Sequence, residues 1–78
     1  MAKSPISKRR FVVCVKNEGY EVSLERRKIY VCIEDEEAQT HKLLRVIDES
    51  GEDYLFPEKM FILIELPQPI RRALLTVA

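Results

Sequence analysis

The 78-residue chain has no tryptophan, one histidine, two glycines and no net charge. Two glycines are too few for the glycine-rich loops that cradle phosphates, which argues against a nucleotide-binding loop. The lone His41 has no nucleophile or orienting partner near it in sequence, and neither G-x-S-x-G nor H-E-x-x-H occurs. We therefore expect no enzyme and no cofactor. Balanced charge also argues against a general polyanion binder.

Cysteine is scarce as well, and long apolar runs are missing. Cys14 and Cys32 form no C-x-x-C pair, so we interpret both as small buried hydrophobic residues with reduced thiols. A disulfide or a shared metal is the alternative. The longest apolar run, 60–64, is far shorter than a membrane span. The basic N-terminus is not followed by a signal-peptide core, and we expect a cytoplasmic protein with no membrane partner.

What the chain does contain is a series of β-branched and aromatic runs separated by turn residues, which predicts five short strands. They cover residues 11–15, 29–33, 43–47, 54–56 and 61–64. No helical crossover separates them, so antiparallel pairing is expected. Residues 20–24 fit either a short strand or an extended loop arm. Four adjacent carboxylates within residues 34–41 repel one another and favour a solvated loop over a helical turn.

Turn residues set the remaining boundaries. Asp48 and Gly51 fit the first and fourth positions of a type I turn, with Gly51 left-handed. Pro57 ends a strand and leads into one 3₁₀ turn. Pro69 opens a short amphipathic helix that ends at Val77. The predicted organisation is a disordered basic arm (1–10), a β domain (11–66) and a tail with a short helix (67–78). The predicted core comprises Val13, Leu24, Ile29, Val31, Val46, Phe56 and Phe61.

The segment VSLERRKIYVCIED, an acidic loop, a glycine-containing hairpin and the run YLFPEKMFILI follow one another in that order. This order resembles the SH3-like barrel, whose penultimate strand, proline-led 3₁₀ turn and closing strand are similar to the last run. The stretch DESGEDYLFP and the ELP segment before the tail also resemble a group of small uncharacterised bacterial proteins. The resemblance spans roughly residues 11–64. It implies an all-β, five-stranded SH3-like barrel, here with a short C-terminal helix.

The chain departs from the SH3 domains that bind proline-rich peptides. Those domains have a tryptophan where Leu43 or Leu44 stands here, and a groove tyrosine where Met60 stands. Only Pro57 matches the groove residues. We therefore expect no proline-peptide groove, since one fold can carry unrelated functions.

A protein-binding module is the function that we favour from sequence. The run 60–66, MFILIEL, is more apolar than one strand with a wet face requires. Either the chain's own tail covers this run or a protein partner or second subunit does. The predicted protein-binding residues are Met60, Ile70 and Leu74.

The alternative is weak binding of single-stranded nucleic acid through two basic clusters and an aromatic side chain. Its predicted residues are Arg9, Arg10, Arg26, Arg27, Lys28 and Tyr30. A third hypothesis, calcium at the hairpin DESGED, lacks the ligand spacing of known loops, and we expect no metal site.

Overall fold

The computed structural model describes residues 9–77, with side chains described for residues 9–75. Within this part of the chain, five antiparallel strands form one sheet and a helix follows at the C-terminus, which confirms the predicted mostly-β class. The strands are β1 (Arg9–Cys14), β2 (Ile29–Ile33), β3 (Leu43–Ile47), β4 (Asp53–Pro57) and β5 (Phe61–Ile64). The helical elements are α1 (Glu36–Thr40), a 3₁₀ turn (Glu58–Met60) and α2 (Gln68–Val77).

The sheet is open. Its strand order is β4-β3-β2-β1-β5, so β4 and β5 are the two edges. β1 lies between β2 and β5, with Val13 opposite Ile29 on one side and opposite Ile62 on the other. The described residues contain no ladder between β4 and β5. Closure into a barrel therefore stays a prediction.

The core lies on one face of this sheet, beneath the loop that joins β1 to β2. It comprises Val12, Cys14, Leu24, Tyr30, Cys32, Val46, Phe56, Met60 and Phe61, with Leu44 packed against it. The Tyr20 and Phe56 rings meet edge to face with centroids 5.3 Å apart. Four of the seven predicted core residues are buried here, namely Leu24, Val46, Phe56 and Phe61.

The predicted inward face of β2 is wrong. Tyr30 and Cys32 point into the core, whereas Ile29 is 40% exposed and Val31 is half-buried. Val13, opposite Ile29, is half-buried as well. β2 is apolar on both faces, so its alternation alone cannot choose the inner one. Tyr30 is accommodated because its hydroxyl finds polar partners inside the fold.

The acidic segment 34–41 was predicted to be a solvated loop, but part of it forms the short helix α1. Asp35 is its N-cap, and its Oδ1 accepts the Ala38 N–H at 3.1 Å. Its Oδ2 accepts a hydrogen bond from Arg45 Nε at 2.8 Å. Carboxylates at a helix N-terminus are favoured by the unpaired N–H groups and the helix dipole. This attraction offsets the repulsion on which the loop prediction was based.

The predicted turns are confirmed. Gly51 has a φ of 89°, and its N–H donates to the Asp48 carbonyl at 3.0 Å. The 3₁₀ turn follows Pro57, and α2 begins one residue before Pro69. Residues 20–24 belong to a loop with turns. Arg9 and Arg10, assigned to the arm from sequence, are the first residues of β1, and residues 1–8 lie outside the described part.

Candidate protein-binding surface

The edge strand β5 carries two large apolar side chains that the fold leaves exposed. Ile62 is 54% exposed and Leu63 is 53% exposed, although they point to opposite faces of the sheet. None of the four residues of β5 is charged. The apolar excess seen in the sequence of this segment is therefore found at the surface of the structure.

A cleft of about 280 Å³ adjoins the same strand. Its apolar lining comes from both halves of the sheet and comprises Val12, Cys32, Ile33, Leu43, Leu44, Phe61 and Leu63. Its polar lining comprises Arg10, Glu34, Asp35, Gln39, Arg45 and Glu58. An apolar floor with a mixed-charge rim can take an apolar side chain and orient the polar groups around it. Leu63 is shared by the cleft and the exposed edge.

The helix α2 covers the other face of β1 in part. The Arg71 guanidinium lies over the Phe11 ring, 5.2 Å from its centroid, and Phe11 is fully buried. Leu75, one turn further on, is half-buried. The predicted contact residues Ile70 and Leu74 remain exposed. The tail therefore contacts β1 through Arg71 and leaves Ile62 and Leu63 uncovered by the described side chains.

The third predicted protein-binding residue, Met60, is not at the surface, as its predicted role requires. Its side chain is buried in the core with Phe56 and Phe61. Met60 is the last residue of the 3₁₀ turn and the only buried residue in that turn. The exposed apolar side chains of the run 60–66 belong instead to the strand that follows Met60, at Ile62 and Leu63.

The residues predicted to bind nucleic acid do not form one patch. The β1–β2 register places Arg9 opposite Ile33, whereas Arg26, Arg27 and Lys28 precede the other end of β2. At about 3.3 Å per residue, the two clusters stand more than about 10 Å apart along the strands. Tyr30 is only 5% exposed and offers no ring face on which a base can stack. The structure therefore separates the elements that this hypothesis combined.

Tyr30 instead anchors a polar network that the sequence did not reveal. Its hydroxyl donates to Glu49 Oε2 and accepts the Glu25 N–H at 2.8 Å. Lys28 Nζ lies 2.7 Å from the same carboxylate oxygen. Burial, with a smaller effect from the Glu49 hydrogen bond, raises the pKa of Tyr30. The hydrogen bond from Lys28, followed by that from Tyr30, lowers the pKa of Glu49.

A second network joins the two acidic clusters. Arg45 donates to Asp35 Oδ2 at 2.8 Å and to Asp53 Oδ2 at 3.0 Å. The Ala38 N–H and then Arg45 lower the pKa of Asp35. Asp48, in the hairpin, is buried and accepts hydrogen bonds from the Ser50 N–H and hydroxyl. Across residues 9–77, no three His, Cys, Asp or Glu side chains are placed to hold a metal ion.

The groups considered for catalysis are scattered. His41 is exposed at the C-cap of α1. Both cysteines are buried and free, as predicted for small buried hydrophobic residues. Burial raises the pKa of the Cys32 thiol, an effect that the nearby Arg10 opposes. A buried thiol with a raised pKa is a poor nucleophile.

Comparison of the chain with protein-family models, with curated proteins and with solved structures gave no match. In the stretch from Arg9 to Val77, no helix has both the length and the apolar character needed to cross a membrane. The fold and its surface chemistry therefore carry the functional argument.

Proposed function

We propose that this chain is a non-catalytic protein-binding module that meets its partner through the open edge strand β5 and the cleft beside it. The observation that carries this proposal is the exposure of Ile62 and Leu63 on an uncharged edge strand. An open edge presents unpaired N–H and C=O groups to another chain. Addition of a strand at such an edge is a common mode of protein recognition.

Burial of the exposed apolar side chains of β5 in a complex is favoured by the hydrophobic effect. Burial of apolar surface contributes about 25 cal/mol per Å², so covering two large side chains stabilises a complex by a few kcal/mol. Single exposed apolar residues are ordinary on protein surfaces. Here Leu63 lines a cleft with an apolar floor, and Ile62 is exposed on the opposite face of the same strand; an exposed apolar edge beside such a cleft is typical of an interaction site.

The non-catalytic part of the proposal is supported by the dispersal of the reactive groups. His41 lies on α1, while Cys14 and Cys32 are buried in the sheet. General acid–base or nucleophilic catalysis requires such groups within hydrogen-bond reach of one another and of a substrate. The proposal also places the protein in the cytoplasm, where free thiols remain reduced.

We also infer that the fold is SH3-like. The support is the proline-led 3₁₀ turn between β4 and β5, together with the antiparallel pairing of β5 with β1. A proline-peptide function is not part of the inference, because Met60 is in the core and Leu44 packs against it.

The test is a capture experiment with a matched control. The immobilised chain is incubated with lysate or with candidate partners, and bound protein is quantified. Leu63→Lys places a charge on the edge and should reduce capture at least about tenfold. Val22→Lys makes the same change at a loop residue that is 94% exposed, and it should leave capture unchanged.

Equal loss of capture in both variants would show that added positive charge, and not the β5 edge, is responsible. Equal retention in both would show that the partner binds elsewhere. Either result would overturn the proposal that β5 is the binding edge. Circular dichroism of each variant checks that the sheet is intact.

A further inference from the structure

We propose that the occupant of the β5 edge is a second copy of this chain, added antiparallel with Leu63 opposite Leu63. This inference rests on the proposed function, because it names the partner for the same edge. It follows from the direction of the backbone groups, from the difference between the two sheet edges, and from the charges at the two ends of β5.

The hydrogen-bond pattern shows which backbone groups of β5 point outward. The Val15 N–H donates to the Met60 carbonyl at 2.8 Å, which makes these two residues a hydrogen-bonded pair. In an antiparallel ladder, hydrogen-bonded pairs alternate with non-hydrogen-bonded pairs. Ile62 and Ile64, two and four residues after Met60, therefore direct their N–H and C=O groups toward β1. Phe61 and Leu63 therefore direct theirs away from β1. The Phe61 N–H is used within the chain, since it donates to the Glu58 carbonyl.

The outward backbone N–H and C=O groups of β5 can pair with the same groups of a second β5 strand. Leu63 offers both an N–H and a C=O, so two Leu63 residues placed opposite each other exchange two hydrogen bonds. In this register the Phe61 carbonyl faces residue Glu65 of the second copy. The two Leu63 side chains, each 53% exposed, then lie on the same face and pack against each other.

The other edge of the sheet is protected against such pairing. The Asp48 N–H donates to the Glu52 carbonyl at 3.1 Å, so by the same alternation Asp53, Leu55 and Pro57 face outward on β4. Pro57 has no N–H, and Asp53 brings a carboxylate to the edge. Charged residues and proline are the usual protections of an edge strand. β5 has neither, which selects it over β4.

The charges that flank β5 favour the antiparallel orientation. Lys59 lies two residues before the strand and Glu65 follows it directly, and both are exposed. An antiparallel second copy brings Lys59 of one chain near Glu65 of the other at both ends of the pairing. A parallel copy would place like charges together, which is unfavourable. The zero net charge of the chain removes long-range repulsion between copies.

The inference is tested first by the mass of the full chain in solution. Sedimentation velocity over about two decades of concentration should show a rise from the 9.2 kDa monomer toward twice that mass. Hydrogen exchange of the Leu63 amide should slow as the concentration rises. Leu63→Lys places two like charges across the symmetry axis and should abolish association, while Val22→Lys should retain it.

Charge reversal then tests the orientation. Lys59→Glu and Glu65→Lys each turn two attractive contacts into repulsive ones, and each should weaken association about tenfold. The double variant restores opposite charges and should recover the wild-type value. Neither substitution changes a core residue, so loss of folding is not expected. A dimer that is indifferent to these reversals would overturn the proposed arrangement.

Two further outcomes separate this inference from the proposed function. If the chain stays monomeric at every concentration while a different protein is captured through Leu63, the self-pairing inference is wrong and the binding function stands. If the Leu63 amide is protected at concentrations where sedimentation shows only the monomer, the chain itself covers the edge and the inference is wrong. Monomeric behaviour together with no Leu63-dependent capture would overturn both.

Discussion

The hydroxyl of Tyr30 joins three segments that are distant in sequence. It accepts the Glu25 N–H from the loop before β2, and it donates to Glu49 in the hairpin between β3 and β4. Lys28 completes the contact at 2.7 Å from the Glu49 carboxylate. One side chain therefore ties the long loop and the hairpin to the core. Removal of a buried partner leaves other groups unsatisfied, which costs more than the lost bond alone.

The first prediction concerns this hydroxyl. Tyr30→Phe should lower the free energy of unfolding by about 1–2 kcal/mol, because the Glu25 N–H and the Glu49 carboxylate each lose a partner. Urea denaturation measures the change. Tyr54→Phe is the matched control, since Tyr54 is exposed and its hydroxyl lies 3.2 Å from Glu52 Oε1 at the surface. Equal effects of the two substitutions would contradict the assignment.

The second prediction concerns pH. Lys28 and Tyr30 lower the pKa of Glu49 in the folded state, so its contribution is present above the unfolded pKa. That contribution is lost as pH falls through the folded pKa. The stability difference between the wild type and Glu49→Gln should therefore shrink as the pH falls from about 6 to about 3. Urea titrations at several pH values measure it, and a constant difference would refute the assignment.

Among the secondary-structure elements, the turns are determined by neighbouring residues, whereas the exposure of the sheet edges is not. The hairpin needs a residue with positive φ, and Gly51 supplies it at 89°. The 3₁₀ turn after Pro57 follows from the fixed φ of proline and its missing N–H. The exposure of β5, by contrast, depends on where α2 packs. Arg71 lies over Phe11 of β1, while Ile70 stays exposed.

The third prediction belongs to the hairpin. Gly51→Ala should destabilise the fold by about 1 kcal/mol, because alanine is strained at positive φ. No atom lies within 4 Å of the position that the new Cβ would occupy, so a clash does not contribute. Gly51→Asn should cost less, since asparagine tolerates the left-handed conformation. Thermal unfolding of both variants measures the order, and alanine at wild-type stability would contradict it.

At the scale of the molecule, one buried layer holds the fold together. The core contains two thiols, one phenol and otherwise apolar side chains, all beneath the same sheet face. Phe11, on the other face, is buried beside Arg71. A domain of this size buries a modest share of its surface, so its stability is small and sensitive to each contact.

The fourth prediction uses the two cysteine thiols to report whether the core opens. Burial raises the pKa of both Cys14 and Cys32, which lowers the thiolate fraction as well as access. A thiol reagent at about pH 8 should label both at least ~100-fold more slowly in the native protein than in denaturant. Mass spectrometry identifies the labelled residue. Rapid native labelling of either cysteine would show that this part of the core opens without global unfolding.

Much of the fold was predictable because its signals are local. The strand runs, Gly51, Pro57 and the short C-terminal helix all depend on neighbouring residues, and the structure confirms them. The inner face of β2 was not, because both of its faces are apolar, and Tyr30 is accommodated inside through polar partners that lie elsewhere in the chain. Helix α1 was not predicted because carboxylate repulsion favoured a loop, whereas in the fold Asp35 caps the helix and is also held by Arg45, ten residues further along the chain.

Composition and spacing are local properties, and they suffice to predict a small, mostly β chain with an apolar excess in the segment 60–66. Where that excess is exposed depends on the tertiary fold. Met60 is buried by the 3₁₀ turn, while Ile62 and Leu63 remain exposed because β5 ends the sheet and α2 packs elsewhere. Which strand forms the open edge depends on pairings between residues far apart in the chain, and no local pattern encodes those pairings.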